Sequence, residues 1–150
     1  MTRRFLTTAC LLMLAVVLPS ADAGPKPPPS EATVLLKDAS LTFEARDVTL
    51  QLGKDGTATV TWQWDSQSVR PHNVEADDGT FDSHPGCGKS GVYGLGTGTA
   101  SCGFTGLTSY TRVFRKPGVY RYHCAIHGGA RSGMAGSVIV KALPKVVRRT

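Results

Sequence analysis

From Thr57 to Trp64 the chain alternates without interruption. Ala58, Val60, Trp62 and Trp64 fall on one side, and Thr57, Thr59, Thr61 and Gln63 on the other. A period of two in β-branched and aromatic residues builds a strand with one buried and one wetted face; it cannot lay an apolar stripe along a helix. The pattern recurs along the chain. Val48, Leu50 and Leu52 alternate in the same way, and Leu41, Phe43 and Ala45 suggest a further strand. Tyr120, Tyr122 and Cys124 share one face, with Val119, Arg121 and His123 on the other, after a turn at Lys116-Pro117-Gly118. Ser137 to Lys141 supplies a last strand, and no run of helical periodicity competes with these. Short strands separated by turn signals predict an all-β sandwich. Asp77 to Thr108, rich in Gly, Ser and Thr, interrupts the rhythm and is expected to form a long loop with little regular structure.

The ends differ from the middle. Arg3 and Arg4 precede an apolar run from Phe5 to Leu18, and Ala21-Asp22-Ala23 has the small-x-small form of a cleavage site, so residues 1–23 are expected to be a signal peptide. A retained anchor is the alternative, but the run is shorter than the ~20 residues a spanning helix needs. The proline-rich stretch 24–32 is expected to be an extended lead-in, 33–143 the folded domain and 144–150 a basic tail. Loss of residues 1–23 removes two arginines and one aspartate, which takes the formal charge from +6 to +5. In an exported protein, periplasmic or extracellular, that charge suits solubility or an acidic protein partner better than nucleic acid. No other segment is apolar enough to span a membrane, and a monomer is expected.

Cleavage also simplifies the sulfur chemistry. Cys10 leaves with the leader, and Cys87, Cys102 and Cys124 remain, with Met134 as the one methionine. An oxidising compartment favours a Cys87–Cys102 disulfide and leaves Cys124 for another task. The alternative is a second metal site built from His84, Cys87 and Cys102.

Cys124-Ala125-Ile126-His127, followed by Met134, puts a thiolate, an imidazole and a thioether within eleven residues. That is a donor set copper favours, and a His₂Cys plane with a weak axial Met needs one more imidazole. Pro71-His72-Asn73-Val74 offers it from a distant segment.

Tyr122-His123-Cys124-Ala125-Ile126-His127, with Gly133-Met134-Ala135-Gly136, resembles the copper loop of the cupredoxins, the plastocyanin-like proteins above all. Pro71-His72-Asn73-Val74 resembles the segment that carries their first histidine, and Pro117-Gly118-Val119-Tyr120 their approach to the cysteine. The resemblance implies a Greek-key β-sandwich of the cupredoxin type. It implies one type 1 copper, cycling between Cu(I) and Cu(II), held by His72, Cys124, His127 and Met134. One feature departs from the pattern: six residues separate His127 from Met134, where plastocyanins usually have fewer. Asn73 is expected to tie the His72 segment to the cysteine loop, its alternative being an ordinary turn residue. By the same resemblance His127 is the electron exit, with Gly128 beside it; Arg70, two positions before His72, and Arg131, in the ligand loop, are expected to flank it as a docking surface for redox proteins with an acidic face, the alternative being that both arginines only aid solubility.

The expected function is therefore one-electron transport between partner proteins, without catalysis of its own. A copper enzyme would need a further histidine cluster, and only His84 and His123 remain. Copper storage or delivery would call for several methionines or histidines.

Overall fold

The computed structural model describes residues 26–66, 70–85 and 108–145. Two four-stranded sheets face each other. The first runs β2 (Thr42–Glu44), β1 (Glu31–Lys37), β4 (Ala58–Trp64), β6 (Ser109–Phe114); the second runs β3 (Asp47–Gln51), β8 (Ser132–Lys141), β7 (Gly118–Gly129), β5 (Glu75–Ala76). β1 with β4 and β3 with β8 are parallel, and the other pairings are antiparallel. No strand is joined to its parallel partner directly, so the chain passes between sheets.

The alternation explains the core. Val34 and Leu36 of β1, Ala58, Val60, Trp62 and Trp64 of β4, Leu50 of β3, Tyr122 and Cys124 of β7, and Met134, Val138 and Val140 of β8 are all buried between the sheets. Each Val, Leu or Met side chain removed from water in this way contributes roughly 1.5–3 kcal/mol. Trp62 of the first sheet meets Tyr122 of the second edge to face, with ring centroids 5.1 Å apart. Phe43 packs on the same tyrosine at 5.0 Å. Tyr122 also donates a hydrogen bond to the Arg46 carbonyl at 2.7 Å. Gly136 pairs with Tyr122 across the ladder, and a Cβ there would strike the Arg46 carbonyl and the Tyr122 hydroxyl. The glycine thus makes room for a tyrosine that pins β7, two residues before Cys124.

Several elements differ from the expectation. Glu31 and Ala32, assigned to the lead-in, open β1. Leu41 and Ala45 adopt positive φ (51° and 55°), so the strand around Phe43 shrinks to three residues. β6 was not expected at all. Its Arg112 occupies an inward position opposite the buried Val60, and its guanidinium lies over the Phe81 ring, 5.7 Å from the centroid. An inward charge on an edge strand discourages further pairing. Cys87 and Cys102, like residues 1–23, lie outside the described residues.

Candidate metal centre

The expected loop between the last two strands is a tight hairpin. β7 continues to Gly129, β8 starts at Ser132, and only Ala130 and Arg131 turn between them. The pairs Gly128↔Gly133 and Gly129↔Ser132 extend the ladder beyond Cys124 and His127, which absorbs the long His127–Met134 spacing. Between His123↔Ala135 and Gly128↔Gly133 the register breaks. Four residues of β7, Cys124 to His127, bulge opposite the single residue Met134 of β8. Such a bulge re-aims side chains. Here it turns His127 back toward Cys124, and Met134 is the buried β8 residue that faces the bulge. Gly133, at φ 62°, and Gly128 are the small residues this requires, because a Cβ on Gly128 would meet the Met134 backbone at 2.8 Å.

The third donor comes from the segment between β4 and β5. His72 is 0% exposed, and its Nδ1 lies 3.1 Å from His127 Nδ1 and 3.9 Å from Cys124 Sγ. Cys124 Sγ lies 3.6 Å from His127 Nδ1. Taking zinc's bonds to these donors, about 2.0 Å to nitrogen and 2.3 Å to sulfur, a flat three-coordinate ion separates its nitrogens by about 3.5 Å and sulfur from nitrogen by about 3.7 Å. The observed triangle fits an ion at its centre.

The surrounding groups make the donors available. His72 Nε2 donates to Asp38 Oδ1 at 2.8 Å, which turns the unprotonated Nδ1 toward the other two. Burial, then the neighbouring His72 and the Arg70 charge, hold His127 below the usual imidazole pKa and keep its ring neutral. Two imidazole nitrogens, one fully buried and one half-buried, converge with a buried sulfur and no carboxylate among the donors; that set suits a soft or borderline cation, and with the Met134 thioether it suits copper.

Asn73, fully buried, accepts a hydrogen bond from Ala125 N on Oδ1 at 2.7 Å and donates from Nδ2 to Asp82 at 3.3 Å. Arg70 donates to the Asp38 carbonyl at 3.0 Å. Gly128 is half-buried beside His127, and Arg131 is exposed in the hairpin turn with φ 65°. Arg131 lines, with Arg46 and Arg121, a cavity of about 250 Å³ on the outer face of the β3-β8-β7-β5 sheet. His123 faces away from the donors and pairs with Asp77 at 2.8 Å. His84 lies against Trp64, its Nδ1 3.1 Å from Ser83 Oγ.

Asp38 was missed. It follows β1, 34 residues before His72, where an acid looks like any turn residue; no spacing could have linked the two.

The sequence model of copper binding proteins of the plastocyanin/azurin family matches residues 30–141. Among solved structures the chain is similar to oxidised plastocyanin from Dryopteris crassirhizoma, at 21% identity over 73% of this chain and 100% of that one, with a TM-score of 0.47. It is similar to reduced auracyanin from Roseiflexus castenholzii, at 18% identity over 78% of this chain and 99% of that one, with a TM-score of 0.45. It is also similar to a copper-containing nitrite reductase from Thermus scotoductus, at 21% identity over 86% of this chain but 25% of that one, with a TM-score of 0.44.

Proposed function

Since the chain belongs to the plastocyanin/azurin family of copper-binding proteins, whose cofactor is copper and whose members are generally blue copper electron carriers, we propose that it carries single electrons between partner proteins outside the cytoplasm. His72 Nδ1, Cys124 Sγ, His127 Nδ1 and the Met134 thioether are the groups that would hold the ion. The observation that carries this reading is the 3.1–3.9 Å triangle of the three donor atoms.

Copper bound there supplies a one-electron Cu(I)/Cu(II) couple. The chain's own residues keep that couple fast by not moving. Asn73 ties the His72 segment to Ala125, Asp38 fixes the His72 ring, and the β7 bulge is locked by ladder pairs on both sides. His72 and Cys124 are sealed from water, while His127 is half-buried and is the imidazole through which an electron would leave. Arg70, Gly128 and Arg131 are proposed to meet an acidic face of the partner. Export through cleavage of residues 1–23, a Cys87–Cys102 disulfide and a monomeric state complete the reading.

An enzyme is the alternative, since a similar domain forms part of a nitrite reductase. The histidine inventory favours a carrier. Of four histidines, two are in the site, His123 is paired with Asp77, and His84 lies against Trp64. That leaves His84 alone, which is fewer than the further histidine cluster a copper enzyme would need.

The test is optical. Copper(II) added to the mature chain should bind one per chain and give intense blue absorption from thiolate-to-metal charge transfer. Cys124→Ser should abolish the colour. A colourless wild type, or a blue Cys124→Ser variant, would refute the proposal.

A further inference from the structure

We propose that Asp38 is a positioning residue for the metal site: its carboxylate fixes the His72 ring and biases bound copper toward the Cu(II) state, lowering the reduction potential. The inference rests on the copper reading above.

Asp38 is among the three polar or charged residues buried in the described part of the protein, at 8% exposure, and the other two are His72 and Asn73. Its Oδ1 lies 2.8 Å from His72 Nε2, with the imidazole completely enclosed. A carboxylate only accepts, so the proton sits on Nε2 and the lone pair on Nδ1 faces Cys124 and His127. The fold builds this contact. β1 runs parallel to β4 in a register that pairs Leu36 with Trp64, and Asp65 N donates to the Leu36 carbonyl at 3.2 Å. The end of β1 is thereby laid beside the segment that leads to His72. Arg70 then closes the turn by donating to the Asp38 carbonyl at 3.0 Å.

A main-chain carbonyl could orient the ring as well. A carboxylate does more, because it adds a full negative charge at a place with little water to screen it. Through the Nε2–H bond it also makes Nδ1 a better donor. Both effects favour the more highly charged Cu(II). Arg70 places a cation on the same turn and offsets part of the field, so the carboxylate's effect is the net of the two.

Two substitutions separate positioning from charge. Asp38→Asn keeps an acceptor for Nε2–H and removes the charge; Asp38→Leu removes both. In copper-loaded Asp38→Asn the ratio of Cu(II) to Cu(I) affinity should fall about tenfold, a rise of about 59 mV for a one-electron couple, with the blue spectrum retained. Asp38→Glu, which keeps the charge, should remain closer to wild type. The metal-free protein gives a second readout. Imidazole ¹⁵N shifts should show wild-type His72 as the Nε2–H tautomer alone, and Asp38→Leu as a mixture. An unchanged potential in Asp38→Asn, or in Asp38→Glu a shift as large as in Asp38→Asn, would overturn the electrostatic role. An Nδ1–H tautomer in the metal-free wild type would overturn the positioning role, even if no variant folds. A wild type that binds no copper would refute the copper reading instead, and the tautomer measurement would still decide the His72–Asp38 contact.

Discussion

Asn73 Oδ1 accepts a hydrogen bond from the backbone N–H of Ala125 at 2.7 Å, joining the residue after one histidine donor to the residue after the cysteine. The two segments are 52 residues apart in the chain, and the amide is fully buried. Asn73→Ala would take this partner from the half-buried Ala125 N–H, at a cost of about 1–3 kcal/mol. Urea unfolding of the metal-free protein should show the midpoint move down with the slope unchanged. An unmoved midpoint would mean that water replaces the amide at no cost.

Met134 is 1% exposed and is the lone β8 residue opposite the Cys124–His127 bulge. Replacement by Leu conserves volume, so the fold should lose less than about 1.5 kcal/mol. An axial thioether tunes the potential more than it retains the ion. Met134→Leu should therefore keep both copper and colour and raise the potential, because Cu(II) loses a donor. A redox titration of the variant checks this; loss of copper or an unchanged potential would count against the axial role.

The sandwich was legible where alternation was clean, and the reasons it failed elsewhere are physical. β4 and the first half of β7 show apolar and polar residues in strict turn, and both lie where the pattern put them. β6 escaped because Arg112 sits at an inward position, satisfied by the Phe81 ring face instead of by burial. The hairpin end escaped because Gly128, Gly129 and Gly133 have no side chains from which a period could be seen; Gly-Gly-Ala-Arg-Ser-Gly suggests a loop, yet it forms ladder pairs around a two-residue turn. The three donors that meet were visible as chemistry, since Cys124 and His127, joined to the Pro71-His72-Asn73-Val74 segment and to Met134, make up a donor set copper favours. Asp38 was not visible, because its role depends on a parallel pairing of β1 with β4 that no local pattern encodes.

Burial holds His84 below its ordinary pKa of 6.5, with Asp82 opposing the shift only in part. The unfolded chain therefore binds a proton there more readily than the folded one as the pH falls through about 6.5. The stability this group contributes is complete above that pH and declines below it, levelling off once the folded imidazole also protonates. Denaturation at pH 7.5 and pH 5 should show the stability gap between wild type and His84→Gln narrowing at the lower pH. A gap that is constant or widens would show that His84 titrates alike in both states.

Cys124 is buried, and it is the one free cysteine among the described residues. Cys87 and Cys102 are the pair that an oxidising compartment would join. Peptide mapping without reductant should recover them in one linked fragment, with Cys124 unlinked. A loop of this length is stabilised by about 3 kcal/mol in the entropic picture, so reduction should lower the unfolding midpoint. A Cys124-containing disulfide in copper-loaded protein would refute the pairing.

The two arginines proposed for docking are not equivalent. Arg70 is exposed yet held by its bond to the Asp38 carbonyl, so its substitution disturbs the turn that positions His72 as well as the surface charge. Arg131 stands in the hairpin turn, exposed, beside a cavity it shares with Arg46 and Arg121. Its substitution changes charge with little else. If an acidic partner is steered to His127 by this charge, electron-transfer rates should fall as salt rises, because the screening length shrinks from about 10 Å at 0.1 M to about 3 Å at 1 M. Arg131→Gln should slow the reaction at low salt, flatten its salt dependence and leave the reduction potential unchanged. Arg70→Gln should do the first two and shift the potential as well. A rate indifferent to salt and to Arg131→Gln would leave association to the half-buried surface around His127, with charge playing no part in it.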